Sequence, residues 1–444
     1  MREHVNLFTL TIVRRLAITV ALLASAVLAS CGSGSTPVVN AAPTPYSAPC
    51  AQRGAVAPCV NALQLQVVYN LKPLYAKGLD GIGISVVVLA DGGISSLRSE
   101  LNGFDSAFHL PAPKLRIVSL DGAKETAAGS DELALDTEAV HTVAPGASIV
   151  VLVVPTTSDP SSIEPQAEAV RYAATHHLGQ VITTSLGNVG EAALGPGIIS
   201  GLQESFQFAA DRHVSVVDAS GDFGASSRQT LAGPAGPGCC FTERMRGYPA
   251  SDPTVTAVGA TRLHLNARGE RTSPDTVAND QEGASGGGLS TVFSRPSYQN
   301  AVESVVGDYR GGPDVSMNED IDSGFEMYAN TSSGDGQADL GWSSVGGTSE
   351  SAPLFAGIVA IADQAAGRPL GELNPYLYRA YQLPNHGGIV PVTSGNNTVS
   401  IESSSGTDVI VPGYHADAGY NMATGLGTVN ADQLVRTLAF LARH

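Results

Sequence analysis

One serine of this chain, Ser349, lies in a glycine-rich turn and has a type and position that suit catalysis. Residues 346–353 read GGTSESAP, and an apolar run follows over 354–362. The two glycines allow a tight turn close to a bound ligand. Thr348 or Ser349 is a good N-cap for the helix that the apolar run predicts, so the Ser349 hydroxyl lies near unpaired N–H groups and the positive helix end. Taken alone, the stretch is more typical of a capped core helix than of a reaction centre.

A nucleophilic serine needs a base, and residues 131–136 (DELALD) supply two carboxylates at helical spacing. On a helix, Glu132 and Asp136 lie on one face with their Cβ atoms about 5–6 Å apart. If both are buried, the pKa of one carboxyl rises and that group holds a proton. If the face is exposed, the pair is a solvated acidic surface that costs about 0.2–0.5 kcal/mol.

A third carboxylate follows a predicted buried strand. Asp222 lies in SGDFG (220–224), directly after the strand predicted over 214–219. The carboxyl ends of strands in α/β sheets are where ligands and catalytic groups lie. A protonated Asp222 in a dry site donates a hydrogen bond to a developing oxyanion. The alternative is a turn residue between two glycines.

Composition excludes several other classes of function. The chain has 41 acidic and 24 basic residues and a net charge of -17. This balance argues against nucleic acid as a partner. Walker-type phosphate loops and the Cys/His spacings typical of metal sites are absent from the sequence. With 444 residues and 43% hydrophobic content, the chain can form a large core.

Residues 1–30 have the pattern of a signal peptide. Arg14 and Arg15 precede an apolar run over 16–28, which is short for a membrane span. The run ends in LASC (28–31), which resembles a bacterial lipobox. The resemblance implies cleavage before Cys31 and a lipid anchor on Cys31 at the membrane surface, whereas an ordinary signal peptide implies a secreted protein. Either way we expect export to the cell envelope, with residues 31–59 as a flexible tether.

Four further cysteines are Cys50, Cys59, Cys239 and Cys240. An even number in an exported chain predicts disulfides. Three pairings are possible, and a local Cys50–Cys59 loop is the simplest.

Residues 60–444 predict one large α/β domain. Buried strands are predicted over 84–90, 148–155, 181–186, 214–219 and 254–260, with helices near 132–143, 163–176 and 199–212. Such alternation is typical of a largely parallel sheet. Long Gly- or Pro-rich loops are predicted over 222–250, 262–290 and 329–345, and such loops often carry function.

The ordered set of motifs resembles the sedolisins, the serine-carboxyl peptidases. Besides GGTSESAP, DELALD and SGDFG, these motifs are YPASDPTVTAVGAT (248–261), SGGGLSTVFSRPSYQ (285–299), RGGPDVS (310–316), LNPYLY (373–378) and ATGLG (423–427). The resemblance implies a subtilisin-like fold, α/β with a largely parallel central sheet and helices on both faces. It implies that Ser349 is the nucleophile, Glu132 its general base, Asp136 the support of Glu132, and Asp222 the oxyanion-hole acid.

These roles imply hydrolysis of protein or peptide substrates through an acyl-enzyme, best at acidic pH. An alternative is a catalytically inactive sedolisin-like lipoprotein that binds or scaffolds other proteins. A rival site uses the subtilisin-like string around His141 together with Asp91. His141 lies five residues past Asp136, however, and points away from the carboxylate pair on a helix, as a structural or partly exposed histidine would.

The chain departs from the family pattern in three places. Sedolisins usually carry a long propeptide, and only residues 32–59 separate Cys31 from the predicted domain, so the chain folds without one or a separate protein supplies it. The family's calcium site is expected around 390–395 and 417–421, where Pro391 and Asn421 stand in place of carboxylates and weaken calcium binding. Leu186 and Phe223 replace residue types usual beside the substrate cleft and alter specificity.

Overall fold

Runs of β-branched residues form the central sheet of the protein. A computed structural model describes residues 59–123, 130–155, 163–231, 236–281, 283–330 and 339–444. The runs SVVVLA, SIVVLV and VITT are buried, as expected for strands covered on both faces. The strands of this sheet are β1 (Ser85–Ala90), β2 (Lys114–Ser119), β3 (Ser148–Val153), β4 (Val181–Thr184), β5 (Ser215–Ala219), β6 (Val255–Arg262), β7 (Thr276–Val277) and β8 (Val315–Asn318).

The sheet is largely parallel. Its strand order is β7-β6-β5-β4-β1-β3-β2, and β8 also pairs with β6. In register, Val86 of β1 faces Ile149 of β3 and Val181 of β4. All of these pairings are parallel except that of β7 with β6. The α/β class and the parallel sheet expected from the sequence are therefore confirmed.

Helices cover both faces of this sheet. One face carries α5 and α6, whose apolar residues pack on Val87, Leu89 and Ile182. Alternate strand residues such as Val86 and Val88 are also fully buried and point to the opposite face, where α8 packs against β1, β4, β5, β6 and β8. The helices are α1 (Ala62–Val68), α2 (Lys72–Tyr75), α3 (Leu97–Phe108), α4 (Ser130–Val143), α5 (Glu164–Thr175), α6 (Glu191–Ala210), α7 (Glu303–Val306), α8 (Thr348–Ala366), α9 (Asn374–Tyr381) and α10 (Ala431–Arg443).

Helix α8 is the buried centre of the fold, and α4 packs closely along it. Gly357 allows this approach, since a Cβ at that position would lie 2.7 Å from the Val143 Cβ on α4. The catalytic serine predicted from the sequence is in the first turn of α8, and the predicted carboxylate pair is on α4. Close packing of these two helices therefore brings the two motifs together.

The segment predicted as a loop over 329–345 is in part a hairpin. Gly324–Asn330 pairs in antiparallel fashion with Leu340–Val345, so the loop prediction is wrong at both of its ends. The pattern did not reveal these strands because Leu340–Val345 is only half-buried and rich in Ser and Gly. Short two-stranded ladders also join Val189–Gly190 to Gly247–Tyr248, Gly288–Ser294 to Tyr309–Gly312, Ile389–Val390 to Thr428–Val429, and Val399–Glu402 to Asp408–Val411, while Cys59–Val60 pairs with the hairpin.

Cys239 and Cys240 form a disulfide with each other. Cys59 is also disulfide-bonded, while Cys50 lies outside the described residues, as do the predicted signal peptide, Cys31 and most of the tether. Among the described residues no helix is long and apolar enough to cross a membrane.

Candidate active site

Ser349 lies in the first turn of α8, and hydrogen bonds to β8 hold that turn in place. The N-cap is Gly347, whose φ of 119° is a left-handed backbone angle that favours glycine. The prediction that Thr348 or Ser349 is the N-cap is therefore wrong. The two residues after Ser349 anchor the turn to β8. The Asn318 amide donates to the Glu350 carboxylate at 2.8 Å, and the Ser351 hydroxyl donates to the Asn318 carbonyl at 2.9 Å. These bonds hold the turn that carries Ser349 against the carboxyl end of β8.

Glu132 lies beside Ser349 and is hydrogen-bonded to it. Burial raises the pKa of Glu132, the Ser349 hydroxyl that donates to the carboxylate lowers it, and the charge of Asp222 raises it again. The neighbouring charges of Asp131 and Asp91 raise this pKa further. The environment thus makes Glu132 a much better proton acceptor than an ordinary carboxylate.

Asp136 lies one turn further along α4, where it is 1% exposed. Burial raises its pKa well above the ordinary range, and the charge of Glu132 raises it further. The Ser185 hydroxyl donates to Asp136 Oδ1 at 2.8 Å and opposes this rise. The charge of one carboxylate thus opposes ionisation of the other, and the two groups titrate as a pair.

Asp222 reaches the same turn of α8 from the end of β5. Its Oδ1 accepts hydrogen bonds from the Thr348 N–H at 2.7 Å and from the Thr348 hydroxyl at 2.6 Å. The carboxylate therefore caps the helix that carries Ser349. The Ala284 N–H donates to the backbone carbonyl of Asp222 at 2.8 Å and holds the turn in place. A serine with a carboxylate base on one side and a carboxyl cap on the other can support acyl transfer.

Comparison with known proteins shows the family to which the chain belongs. The subtilase family model matches residues 123–385, more than half of the chain. Kumamolisin from Bacillus sp. (strain MN-32) is 32% identical over 377 residues, which are 82% of this chain and 61% of kumamolisin. The chain belongs to the subtilase family and, within it, to the sedolisins.

Other sedolisins extend the similarity. The solved structure of Pseudomonas sedolisin, a serine-carboxyl proteinase in complex with pseudo-iodotyrostatin, matches with a TM-score of 0.70 and 26% identity, covering 87% of this chain and all of that one. Tripeptidyl-peptidase 1 from Rattus norvegicus is 30% identical over 78% of this chain and 57% of that protein. The chain thus spans about three fifths of the length of these two curated relatives.

His141 would be the base in an ordinary subtilisin-type site, but it contacts Asp105 on α3. Its Nδ1 is 3.2 Å from Asp105 Oδ1 on α3, and the side chain is 2% exposed. The prediction that it points away from the carboxylate pair is consistent with this contact, but the histidine is buried rather than partly exposed. Asp91 is exposed and acts on Glu132 through its charge.

The site at which the resemblance places calcium does not fit the ion. Pro391 offers no side-chain ligand, and the Asn421 Oδ1 already accepts three hydrogen bonds, from the Ala423 N–H and from the Thr424 N–H and hydroxyl. Asp417 is exposed. Within the part of the chain that the structure describes, no cluster of three or more His, Cys, Asp or Glu side chains could hold a metal ion.

The sequence reasoning missed two residues that support the site, Ser185 and Asn318, and gave Thr348 a different role. Thr348 bonds to Asp222, Ser185 to Asp136, and Asn318 to Glu350. Ser185 directly follows β4, so the rule that functional groups lie at the carboxyl ends of parallel strands could have found it. Nothing in the sequence alone marks Asn318, because its role depends on a contact 32 residues away.

Proposed function

We propose that the protein is a serine-carboxyl peptidase that hydrolyses peptide bonds through an acyl-enzyme on Ser349. The observation that carries the proposal is the hydrogen bond from Ser349 to the half-buried Glu132. Asp222 accepts a hydrogen bond from Thr348, the residue before Ser349. A serine hydroxyl is a poor nucleophile until a base accepts its proton, and Glu132 is in position to do so. Family membership supports the same class of chemistry.

In the first half-reaction, Ser349 Oγ attacks the carbonyl carbon of the scissile peptide bond while its proton passes to ionised Glu132. The tetrahedral intermediate carries its negative charge on the former carbonyl oxygen. A protonated Asp222 carboxyl donates a hydrogen bond to this oxyanion, and removing one such donor costs about 10²–10³ in kcat in related chemistry. Glu132 then gives its proton to the leaving amine as the C–N bond breaks, and the acyl group remains on Ser349.

The second half-reaction reverses these proton transfers. A water molecule attacks the acyl carbon and gives a proton to Glu132. The ester bond breaks, the proton returns to Ser349 Oγ, and the new carboxyl product leaves. Asp136 supports the base throughout, because it lies one turn along α4 from Glu132 and is itself held by Ser185.

These roles require opposite protonation states of two carboxyl groups. Glu132 must be ionised to accept a proton, and Asp222 must be protonated to donate a hydrogen bond. Burial raises the pKa of Glu132, so activity falls on the acid side at a higher pH than an ordinary glutamate would give. The resemblance of the motifs to sedolisins supports our proposal that this activity is greatest on the acidic side of neutral pH.

We further propose that peptides or proteins outside the cytoplasm are the substrates. The signal-peptide pattern of residues 1–30 and the lipobox-like Cys31 support export and a membrane-surface anchor. An anchored enzyme acts on substrates at the cell envelope, and one cleaved at an ordinary signal peptidase site is released. Mass analysis of the mature N-terminus distinguishes the two, because lipidation adds acyl chains to Cys31.

Digestion of a peptide library over a pH series tests the proposed activity. The wild-type protein is expected to cleave peptides at acidic pH, and Ser349→Ala is expected to cleave none above background. Equal cleavage by both proteins would contradict the proposal. Tight peptide binding by the wild type without cleavage at any pH would favour the inactive binding lipoprotein instead.

A further inference from the structure

Two segments of the chain meet at the place where calcium binding is expected for a sedolisin. The first covers residues 390–397 and the second residues 420–427. At one end they are joined by the antiparallel ladder between Ile389–Val390 and Thr428–Val429. Asn421 lies at the start of the second segment and is 4% exposed, so its side-chain amide must find its partners inside the protein.

The hydrogen bonds of Asn421 determine how its amide is turned. Its Oδ1 accepts from the Ala423 N–H at 3.1 Å and from the Thr424 N–H at 2.9 Å. A backbone N–H can only donate, so the atom that faces these two groups is the oxygen. The Nδ2 group consequently faces the first segment, where it donates to the Val392 carbonyl at 3.2 Å.

We propose that the Asn421 amide takes the place of a calcium ion and makes this sedolisin independent of calcium. An ion at this place would link the two segments by binding oxygens from both. Here the Asn421 N–H links the same two segments by binding the Val392 carbonyl. The proposal explains why two expected calcium ligands are replaced, because a site with no ion needs no carboxylate at position 391 or 421.

The surroundings of this hydrogen bond suit an amide better than an ion. Val277, Val392, Ala416 and Ala423 form a buried apolar cluster around the junction. A cation in such surroundings loses its hydration and needs several charged or carbonyl oxygens in return. A neutral amide that is hydrogen-bonded through both Nδ2 and Oδ1 carries no such charge-desolvation cost.

The link also supports the active site. The Ser285 hydroxyl donates to the Ala423 carbonyl of the second segment at 2.7 Å, and the Asn397 amide of the first segment donates to the Ser285 carbonyl at 2.9 Å. The residue before Ser285, Ala284, donates its N–H to the Asp222 carbonyl. The two linked segments therefore brace the loop that holds Asp222 beside Ser349.

Thermal unfolding of the full chain at neutral pH, in chelator and in millimolar calcium, tests the proposal. The wild type is expected to unfold at the same temperature in both, and elemental analysis of the dialysed protein is expected to find no stoichiometric calcium. Asn421→Asp keeps the shape and the Oδ1 acceptor but replaces the donor with an oxygen that repels the Val392 carbonyl. In chelator, its Tm is expected to fall by about 2–5 °C.

Asn396→Asp is the matched control. Asn396 lies in the first segment and its Oδ1 also accepts a backbone N–H, that of Thr398 at 3.0 Å. Among the described residues its Nδ2 bonds to no carbonyl of the second segment, so its Tm is expected to stay at the wild-type value. The proposal is overturned if calcium raises the wild-type Tm by several degrees, or if Asn421→Asp is as stable as Asn396→Asp in chelator. This readout is independent of peptidase activity, so its outcome stands apart from the proposed function.

Discussion

The Asp222 carboxylate caps the helix that carries Ser349, through two hydrogen bonds from Thr348 to its Oδ1 atom. One carboxyl group therefore connects the end of β5 with the first turn of α8. With Oδ1 occupied by Thr348, Oδ2 is the atom that can carry the proton for an oxyanion. The cap and the proposed catalytic role thus use different atoms of the same side chain, and substitution can separate them.

Replacing Asp222 tests that separation. Asp222→Ala removes both the cap and the donor, and kcat is expected to fall by about 10²–10³. Asp222→Asn keeps an acceptor for Thr348 and supplies an amide N–H that donates at every pH. It should therefore retain more activity than Asp222→Ala. Steady-state kinetics of the wild type and both variants provide the measurement, and equal kcat values for Asp222→Asn and Asp222→Ala would contradict the assigned role.

The base is tested by comparing Glu132→Gln with His141→Gln. Glutamine at 132 cannot accept the Ser349 proton, so kcat is expected to fall by about 10²–10⁴ while the fold remains. Glutamine at 141 removes the buried partner of Asp105 and should lower the Tm, yet leave the kcat of the folded protein near wild type. Circular dichroism melting and kcat measured together give both readouts. The opposite pattern would identify His141 as the base.

Close packing of α4 on α8 is tested at Gly357. A methyl group there meets Val143, so Gly357→Ala is expected to destabilise the protein by about 1–3 kcal/mol and to lower kcat by moving Glu132 away from Ser349. Gly201→Ala on α6 is the matched control, because its Cβ has no atom within 4 Å. Alanine favours a helix, so this control should be stabilised by up to about 1 kcal/mol. Denaturant unfolding measures both, and equal effects would exclude the packing argument.

Stability is expected to be higher at acidic than at neutral pH. Burial raises the pKa of Asp363 to about 7 and that of Asp252 to about 6, and it raises those of Glu138, Glu319 and Glu350 well above the ordinary range. A group whose pKa is higher in the folded state contributes its full stability below its unfolded pKa and loses it as the pH rises through the folded pKa. The loss from Asp252 and Asp363 therefore spans about pH 4–7.

Melting temperatures between pH 4 and 8 measure this effect, with the Tm expected to be several degrees higher at pH 4–5 than at pH 7–8. Asp363→Asn removes one titrating group and keeps an acceptor for the Leu370 N–H, so it should flatten the dependence. A Tm that rises steadily toward neutral pH would show that these carboxyls are ionised in the folded protein.

The sequence was sufficient for the parts of the site that depend on residue type and local spacing. Glu132 and Asp136 could be paired because four residues on a helix return to the same face, and Asp222 could be placed because it follows an apolar strand. The sequence also predicted the parallel sheet, because buried β-branched runs alternate with helical patterns.

Contacts between distant segments could not be predicted in the same way. The capping of α8 by Asp222 joins residues 126 positions apart, and no local pattern encodes it, so Thr348 or Ser349 seemed the better cap. The hairpin around Leu340–Val345 was missed because its half-buried Ser and Gly residues lack the alternation of a typical strand. The bond from Asn421 to Val392 likewise depends on two segments 29 residues apart.

We propose that Ser349 forms a covalent acyl-enzyme with Glu132 as its base. The most direct measurement is acid quenching of the wild-type protein during turnover of an activated peptide ester at acidic pH, followed by mass mapping of the acylated residue. We expect an acyl group on Ser349 in the wild type, slower acylation in Glu132→Gln, and no acylation in Ser349→Ala. An acyl group on another residue, or turnover by Ser349→Ala at the wild-type rate, would contradict it.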